Sequence, residues 1–107
     1  MRLARLQLPP SAQRGAVIAV RVVIQHPMET GFRHDAAGAA IPVNLLTRVA
    51  CRYLDSEVFR AELGSGISAN PYLQFHLMAE RSGDVVVDWV DDRGDTGSVK
   101  AALNVTG

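Results

Sequence analysis

Cysteine is nearly absent from this sequence, since Cys51 is the single one among 107 residues. One cysteine excludes an internal disulfide framework and any thiolate metal cluster built by this chain alone. An excess of charge of one sign is also absent, because 11 Lys and Arg side chains balance 11 Asp and Glu side chains. A neutral chain has no broad positive field to attract nucleic acid or an anionic membrane. The composition therefore predicts neither as a partner.

Long apolar runs are missing as well. The N-terminal stretch "MRLARLQLPPSA" alternates leucines with arginine and glutamine, so it is typical of neither a signal peptide nor a membrane span. Taken alone, this pattern indicates a cytoplasmic chain. A length of 107 residues fits one domain, and we expect residues 1–107 to form a single unit with its own core.

What the sequence does contain is alternation of apolar and polar residues, which predicts β-strands. Helical spacing never persists. Alternation recurs about seven times between turn-rich links such as "PPSAQRG", "RSGD" and "DDRGDTG", in the stretches 3–8, 17–25, 48–53, 59–63, 73–79, 85–89 and 99–105. Short antiparallel strands in this number favour an all-β, immunoglobulin-like antiparallel sandwich.

The outward side of the last three predicted strands carries more apolar residues than a free-standing sandwich needs. Four apolar side chains fall there among polar ones: Met78, Val86, Val90 and Ala102 beside His76, Asp88 and Lys100. Contiguous apolar surface is uncommon on monomers, so we interpret this side as a face covered by another protein. The alternative is scattered surface valines, which strands favour for their propensity.

Candidates for catalysis or metal binding are few. Cys51 falls on the inward side of its predicted strand, where a thiol behaves as a small buried hydrophobe. His26, Glu29 and His34 lie close together in the sequence, but their spacing matches no recognised frame of metal ligands. The serines of "GSGISANP" lack the strand-to-helix context of a nucleophile elbow. We therefore predict no enzyme, no metal site and no cofactor.

The connection "HPMETGFRHD", His26 to Asp35, has a composition that turn geometry alone does not require. Its apolar and charged side chains resemble an interface anchor set more than a catalytic set. We assign five of them to a partner-binding surface: His26, Met28, Glu29, Phe32 and Arg33. Tyr72, in the second unusual connection "ANPY", offers a rigid amphipathic ring and joins the same assignment.

A purely structural interpretation of the same loop stays open. Pro27 and Gly31 would enforce a turn, Phe32 would fold into the end of the sandwich, and Arg33 would pair with Glu29 or Asp35. Both interpretations can hold together, because an interface loop that is already ordered binds at a lower entropic cost.

Three segments, "HPMETGFR", "EVFRAEL" and "NPYLQFH", in that order and at these separations, resemble the SoxZ family. The similarity spans nearly the whole chain. It implies an immunoglobulin-like sandwich that pairs with a Y subunit, the heterodimer carrying sulfur intermediates among the enzymes of thiosulfate oxidation. In that family the attachment cysteine lies on a glycine-rich C-terminal arm of the Y subunit. This chain ends "AALNVTG", so we expect it not to be the attaching subunit.

The resemblance also changes the expected location to the bacterial periplasm, reached together with a partner that carries the export signal. The expected function is that of a non-catalytic carrier subunit that pairs with Y and docks transiently with the pathway enzymes. Without Y, an apolar face is expected to favour self-association. The alternative is a small binding domain that uses the loop from His26 to Asp35 for a metal or an anion.

Overall fold

The computed structural model describes residues 4–107 of the chain. Within this range the chain forms eight strands and no helix: β1 (Ala4–Gln7), β2 (Ser11–Gln13), β3 (Val17–Ile24), β4 (Leu46–Tyr53), β5 (Ser56–Glu62), β6 (Tyr72–Met78), β7 (Gly83–Asp91) and β8 (Thr96–Thr106). Accordingly, these residues include no helix with the length and apolar character that a membrane crossing requires. Leu3, the start of the first predicted strand, lies outside the described residues.

The strands pack as two sheets. The small sheet has the order β1-β3-β6, and the large sheet has the order β2-β8-β7-β4-β5. All neighbouring strands run antiparallel except β2 and β8, which run parallel. The predicted all-β, immunoglobulin-like sandwich is confirmed.

The strand that the alternation does not predict is β2. It lies in the connection "PPSAQRG" and spans three residues, too few for a period of two to stand out. It pairs with the outer edge of β8, and the Arg14 N–H donates to the Thr106 carbonyl at 2.8 Å just beyond it. A short covering strand of this kind protects a long edge strand from pairing with other chains.

The core lies between the sheets and consists mainly of inward residues that the alternation predicts, together with Met28 and Leu46, which it does not predict. Sixteen apolar residues of the described range are buried there: Ile18, Val20, Val22, Ile24, Met28, Leu46, Val49, Cys51, Tyr53, Phe75, Leu77, Ala79, Val85, Val87, Trp89 and Leu103. On one side of the sandwich the rings of Phe59 and Phe75 stack with centroids 4.1 Å apart, which joins β5 of the large sheet to β6 of the small one.

The predicted covered face of the last three strands is corrected by the topology. Met78 lies on β6 in the small sheet, whereas Val86 and Val90 lie on β7 in the large sheet, so they face opposite sides of the molecule. Val86 is half-buried between its cross-strand neighbours Arg52 and Lys100. Alternation gives the inward or outward side of each strand but not the sheet that the strand joins, which is why the sequence pattern merged two surfaces.

Tyr53, at the end of β4, anchors the connection between β6 and β7. Its hydroxyl donates to the Arg81 carbonyl and accepts from the Glu80 and Arg81 N–H groups, each at 3.1 Å. The ring itself is buried in the core. One side chain therefore satisfies three backbone groups of a connection that has no strand partner there.

Replacing this hydroxyl tests that anchor. We expect Tyr53→Phe to lower the free energy of unfolding by roughly 1–3 kcal/mol, because two donors and one acceptor lose their partner while the ring stays packed. Tyr72→Phe is the matched control, since the Tyr72 side chain is exposed and its hydroxyl contacts the Gln74 side chain alone among the described bonds. Urea unfolding of both variants measures the difference. Equal stabilities would contradict the anchoring role.

Candidate interaction surfaces

The connection between β3 and β4, residues 26–45, forms an irregular hairpin that we call the arm. Glu29 and Asn44 exchange both backbone hydrogen bonds, at 2.8 and 2.9 Å, and a second bridge joins His34 to Ala40. Residues 32–40 are exposed without interruption. The arm is therefore an ordered projection rather than a loop folded onto the sandwich.

Hydrogen bonds among residues 35–39 order the tip of the arm. One carboxylate oxygen of Asp35 accepts from the Ala37 and Ala39 N–H groups at 2.9 and 3.0 Å, and the Asp35 N–H donates to the Ala39 carbonyl. Gly38, with φ of +83°, supplies the left-handed backbone that closes this turn. The shape of the tip is thus defined by hydrogen bonds within the tip itself.

The base of the arm requires a glycine and is braced by the turn between β7 and β8. At Gly31, φ is +92° and a Cβ would lie 2.7 Å from the Cγ2 atom of Val43 on the opposite side of the hairpin. Arg93 Nη2 donates to the Val43 carbonyl at 3.0 Å, and the Asp92 carboxylate accepts from the Leu45 N–H at 2.9 Å. The arginine of the "RGD" sequence is thereby engaged in holding the arm.

Two residues assigned to the binding surface lie instead in the interior, which corrects that part of the prediction. His26 and Met28 are 1% and 6% exposed. The Met28 N–H donates to His26 Nδ1 at 3.0 Å, and the Leu46 N–H contacts Met28 Sδ at 3.4 Å. These side chains satisfy backbone groups where the arm leaves the sandwich, so they position the arm and do not form its surface.

His26 also joins the two unusual connections of the sequence. Its N–H donates to the Asn70 side-chain oxygen at 3.0 Å, and the Asn70 N–H donates to the His26 carbonyl at 2.7 Å. Asn70 has φ of +54°, a left-handed conformation that asparagine tolerates better than most residues. The "HPMETGFR" and "ANPY" segments are therefore one hydrogen-bonded unit at one end of the sandwich.

Two other residues assigned to the binding surface, Phe32 and Arg33, lie on the exposed part of the arm. Phe32 is 85% exposed, so the structural interpretation that folds it into the sandwich is wrong. For Arg33 that interpretation is confirmed, with Glu29 as the partner: Arg33 Nη2 and Nε donate to the two carboxylate oxygens at 2.6 and 3.0 Å. The hydrogen bond from Arg33 holds the pKa of Glu29 below its ordinary value. Tyr72 is also exposed, but on β6 rather than on the arm.

Cys51 lies in the core, as its strand register predicts. Its exposed fraction is 0%, and burial, with a smaller contribution from the charge of Asp88, raises the pKa of the thiol to about 11. A thiol with that pKa is almost entirely protonated at neutral pH, and the thiolate is the reactive form. Cys51 is therefore neither accessible nor nucleophilic in this fold.

The residues that the structure describes bring no three His, Cys, Asp or Glu side chains together as a group that could hold a metal ion. His26, Glu29 and His34, the candidates from the sequence, do not form such a group. The fold and the site together define an immunoglobulin-like β-sandwich whose distinguishing features are a buried thiol and an ordered, exposed arm.

The chain belongs to the SoxZ family: a model of the family described as "Sulphur oxidation protein SoxZ" matches residues 5–102. Its structure is similar to that of the sulfur carrier protein SoxY from Chlorobium limicola f thiosulfatophilum, with a TM-score of 0.67 and 14% identity, covering 97% of this chain and 79% of that one. The family match places the chain in sulfur oxidation. At 14% identity the likeness to SoxY shows a shared fold alone. No curated protein sequence matches it significantly.

A second structural relative is the superoxide reductase (neelaredoxin) from Ignicoccus hospitalis. The TM-score is 0.71 at 15% identity, covering 96% of this chain and 80% of that one. At this identity the likeness shows a shared fold alone.

Asparagine suits position 70 for two reasons: its side-chain oxygen accepts a hydrogen bond, and it tolerates a positive φ. Substitution by alanine and by glycine separates the two. Asn70→Ala loses the side-chain acceptor of the His26 N–H and places a Cβ residue at positive φ, so we expect a loss of roughly 1–3 kcal/mol in unfolding free energy. Asn70→Gly loses the same acceptor, but glycine adopts the positive φ without strain. Its loss of unfolding free energy is therefore smaller by about 1 kcal/mol. Urea unfolding gives both values. A glycine variant less stable than the alanine variant would contradict the assignment.

The pair between Glu29 and Arg33 predicts a pH effect. A carboxyl whose pKa is lowered by folding contributes stability above its unfolded pKa and loses it as the pH falls through the lower, folded pKa. Titration of the Glu29 carboxyl by NMR should therefore give a midpoint below its ordinary 4.5, and Arg33→Gln should return it toward 4.5. Glu57, whose pKa Arg60 lowers in the same way, is the control and should not move. An unchanged Glu29 midpoint in Arg33→Gln would show that the pair does not form in solution.

Proposed function

We propose that this chain is the non-catalytic subunit of a sulfur-carrier heterodimer in thiosulfate oxidation. It pairs with a Y-type subunit that bears the carrier cysteine, and it presents docking surface to the pathway enzymes. Family membership over residues 5–102 supports the pathway. About a fifth of the SoxY chain has no counterpart here, since this chain covers 79% of it.

The observation that carries the proposal is the burial of Cys51. A covalent sulfur carrier needs a thiolate that several enzymes can reach in turn, and this thiol is 0% exposed with a pKa raised to about 11. The attachment of sulfur therefore belongs to a companion subunit. What this chain has left to contribute is shape and surface.

The arm is suited to encounters that have to form and release. Phe32 supplies an exposed aromatic anchor, and the Arg33–Glu29 pair beside it fixes a mixed-charge surface. The hydrogen bonds at the tip and base order the arm before binding, so little conformational entropy is lost on docking. A polar, exposed and pre-ordered surface of this kind fits the transient contacts of a carrier with its enzymes.

We further propose that the heterodimer works in the bacterial periplasm, and that the partner supplies the export signal. A buried thiol is compatible with that oxidising compartment, because it is protected from unwanted disulfide formation.

Reconstitution of thiosulfate oxidation from the purified pathway enzymes and the co-purified heterodimer tests the proposal. The double variant Phe32→Ala with Arg33→Ala should still pair with Y, but it should need about tenfold more carrier to reach the half-maximal rate. Arg81→Ala, an exposed arginine in the connection at the opposite end of the sandwich, is the control and should behave as wild type. If the wild-type chain does not co-purify with a Y-type subunit, the heterodimer is wrong. If the double variant shows unchanged pairing and turnover, the docking role of the arm is wrong.

A further inference from the structure

The exposed large apolar side chains of residues 4–107 are not scattered. There are eight of them: Val17, Val23, Phe32, Val43, Val58, Ile67, Tyr72 and Met78. Phe32 and Val43 belong to the arm and Ile67 to the connection beside it, whereas four others lie on the outer face of the small sheet. The four are Val17 and Val23 on β3 and Tyr72 and Met78 on β6, with exposed fractions between 37% and 64%.

These four side chains form two direct cross-strand pairs. Val17 lies opposite Met78 at one end of the face, and Val23 lies opposite Tyr72 at the other. With the outward residues between them they define what we call the small-sheet face: Arg5, Gln7, Val17, Ala19, Arg21, Val23, Tyr72, Gln74, His76 and Met78. This face has apolar side chains at both ends and carries two arginines but no carboxylate.

The outer face of the large sheet has the opposite character. Arg52 pairs with Asp88 at 3.0 Å and Arg60 pairs with Glu57 at 2.6 Å, and all four side chains are well exposed. Charges that neutralise one another within the chain suit a solvated surface. On the large sheet Val58 alone of the exposed apolar residues remains, and it lines a groove with His76 and Met78 beside the small-sheet face. A permanent partner is therefore expected on the small-sheet side.

The small-sheet face is smaller than the interface of a stable heterodimer, so the interface must extend beyond it. Seven residues along each of β3 and β6 and four along β1, at about 3.3 Å per residue and about 4.8 Å between strands, cover only about 290 Å² in projection. A stable heterodimer needs about 800 Å² of accessible surface on each side. The interface therefore has to include the two flanking grooves, one at Val58 and one lined by Ala4, Arg5, Val23, Gln25 and Asn70.

We infer that the small-sheet face with its flanking grooves is the surface that binds the Y-type carrier subunit; this inference rests on the proposed function. A permanent interface buries exposed apolar side chains, and the small-sheet face carries four of the large ones whereas the arm carries two. The SoxY structure aligns with 97% of this chain, so we expect SoxY to have an equivalent small sheet that packs face to face with this one about an approximate twofold axis.

The charge of Arg21 favours Y over a second copy of this chain as the partner on the small-sheet face. Arg21 lies in the middle of β3, and its Nε donates to the Gln74 side chain at 3.3 Å, so none of the described ion pairs neutralises its charge. Two copies packed face to face about a twofold axis would bring two Arg21 side chains together, and like charges across an interface are costly. A different subunit can place a carboxylate opposite Arg21. We therefore expect an acidic side chain at the corresponding place on Y.

Binding measurements with the SoxY subunit from the same organism test the surface. Met78→Glu and Arg21→Glu should each raise the dissociation constant by at least about tenfold, through a charge in an apolar contact and through reversal of a complementary charge. The matched controls Val86→Glu and Lys100→Glu place the same charge on the outer face of the large sheet and should stay within about twofold of wild type. Urea unfolding of each variant verifies that it is folded.

Hydroxyl-radical footprinting of the unmodified proteins gives an independent readout. Addition of SoxY should protect Met78 and Tyr72 from oxidation and leave Phe32 as reactive as before. If wild type does not bind SoxY, the proposed function fails together with the surface. If wild type binds while Met78→Glu and Arg21→Glu bind equally well, or Phe32 is protected in place of Met78, the surface assignment alone is wrong. A wild-type homodimer through this face that SoxY does not displace would also overturn it.

Discussion

The packing of the two sheets against each other removes Cys51 from water, and the functional account depends on that burial. Side chains alternate from Val49 to Tyr53 on β4, so Cys51 points into the core while Ala50 and Arg52 point outward. Loss of solvent disfavours the thiolate and raises the pKa of the thiol to about 11. The same packing that stabilises the fold therefore takes the chain's single nucleophilic sulfur out of sulfur chemistry.

With no reactive thiol, the molecule is best described by its three surfaces. The outer face of the large sheet is neutralised by its own ion pairs, and the arm is exposed and of mixed charge. The small-sheet face has apolar side chains at both ends and two arginines. His26 and Asn70 connect the arm to the start of β6, so the arm and the small-sheet face are held in a fixed relation. A carrier subunit needs this division, because one surface has to keep its partner while another releases enzymes.

Much of the fold could be predicted from the sequence, because a period of two in apolar residues has one physical cause, a sheet with one dry side. That pattern placed Cys51, Phe75 and Trp89 inside. It could not show β2, which is too short to display a period, or the sheet to which β6 belongs. The distinction matters because Met78 and Val86 have the same alternation but lie on opposite faces.

The candidate site was less predictable, because residue type in a loop does not report where the side chain points. Phe32 is exposed on the arm although it is aromatic. His26 is buried although it is polar, and its hydrogen bonds with Asn70 and Met28 hold it there. Two sequence features could have indicated that His26 is buried. They are the Asn70-Pro71 pair directly before β6 and Gly31 in the arm. Each marks a backbone that needs support from elsewhere in the chain.

The most direct test of the account is intact-mass spectrometry of the separated subunits after thiosulfate turnover by the reconstituted system. The account predicts that the added sulfur resides entirely on the Y-type subunit and that this chain keeps its unmodified mass. A sulfur adduct on Cys51 during the reaction cycle would contradict it.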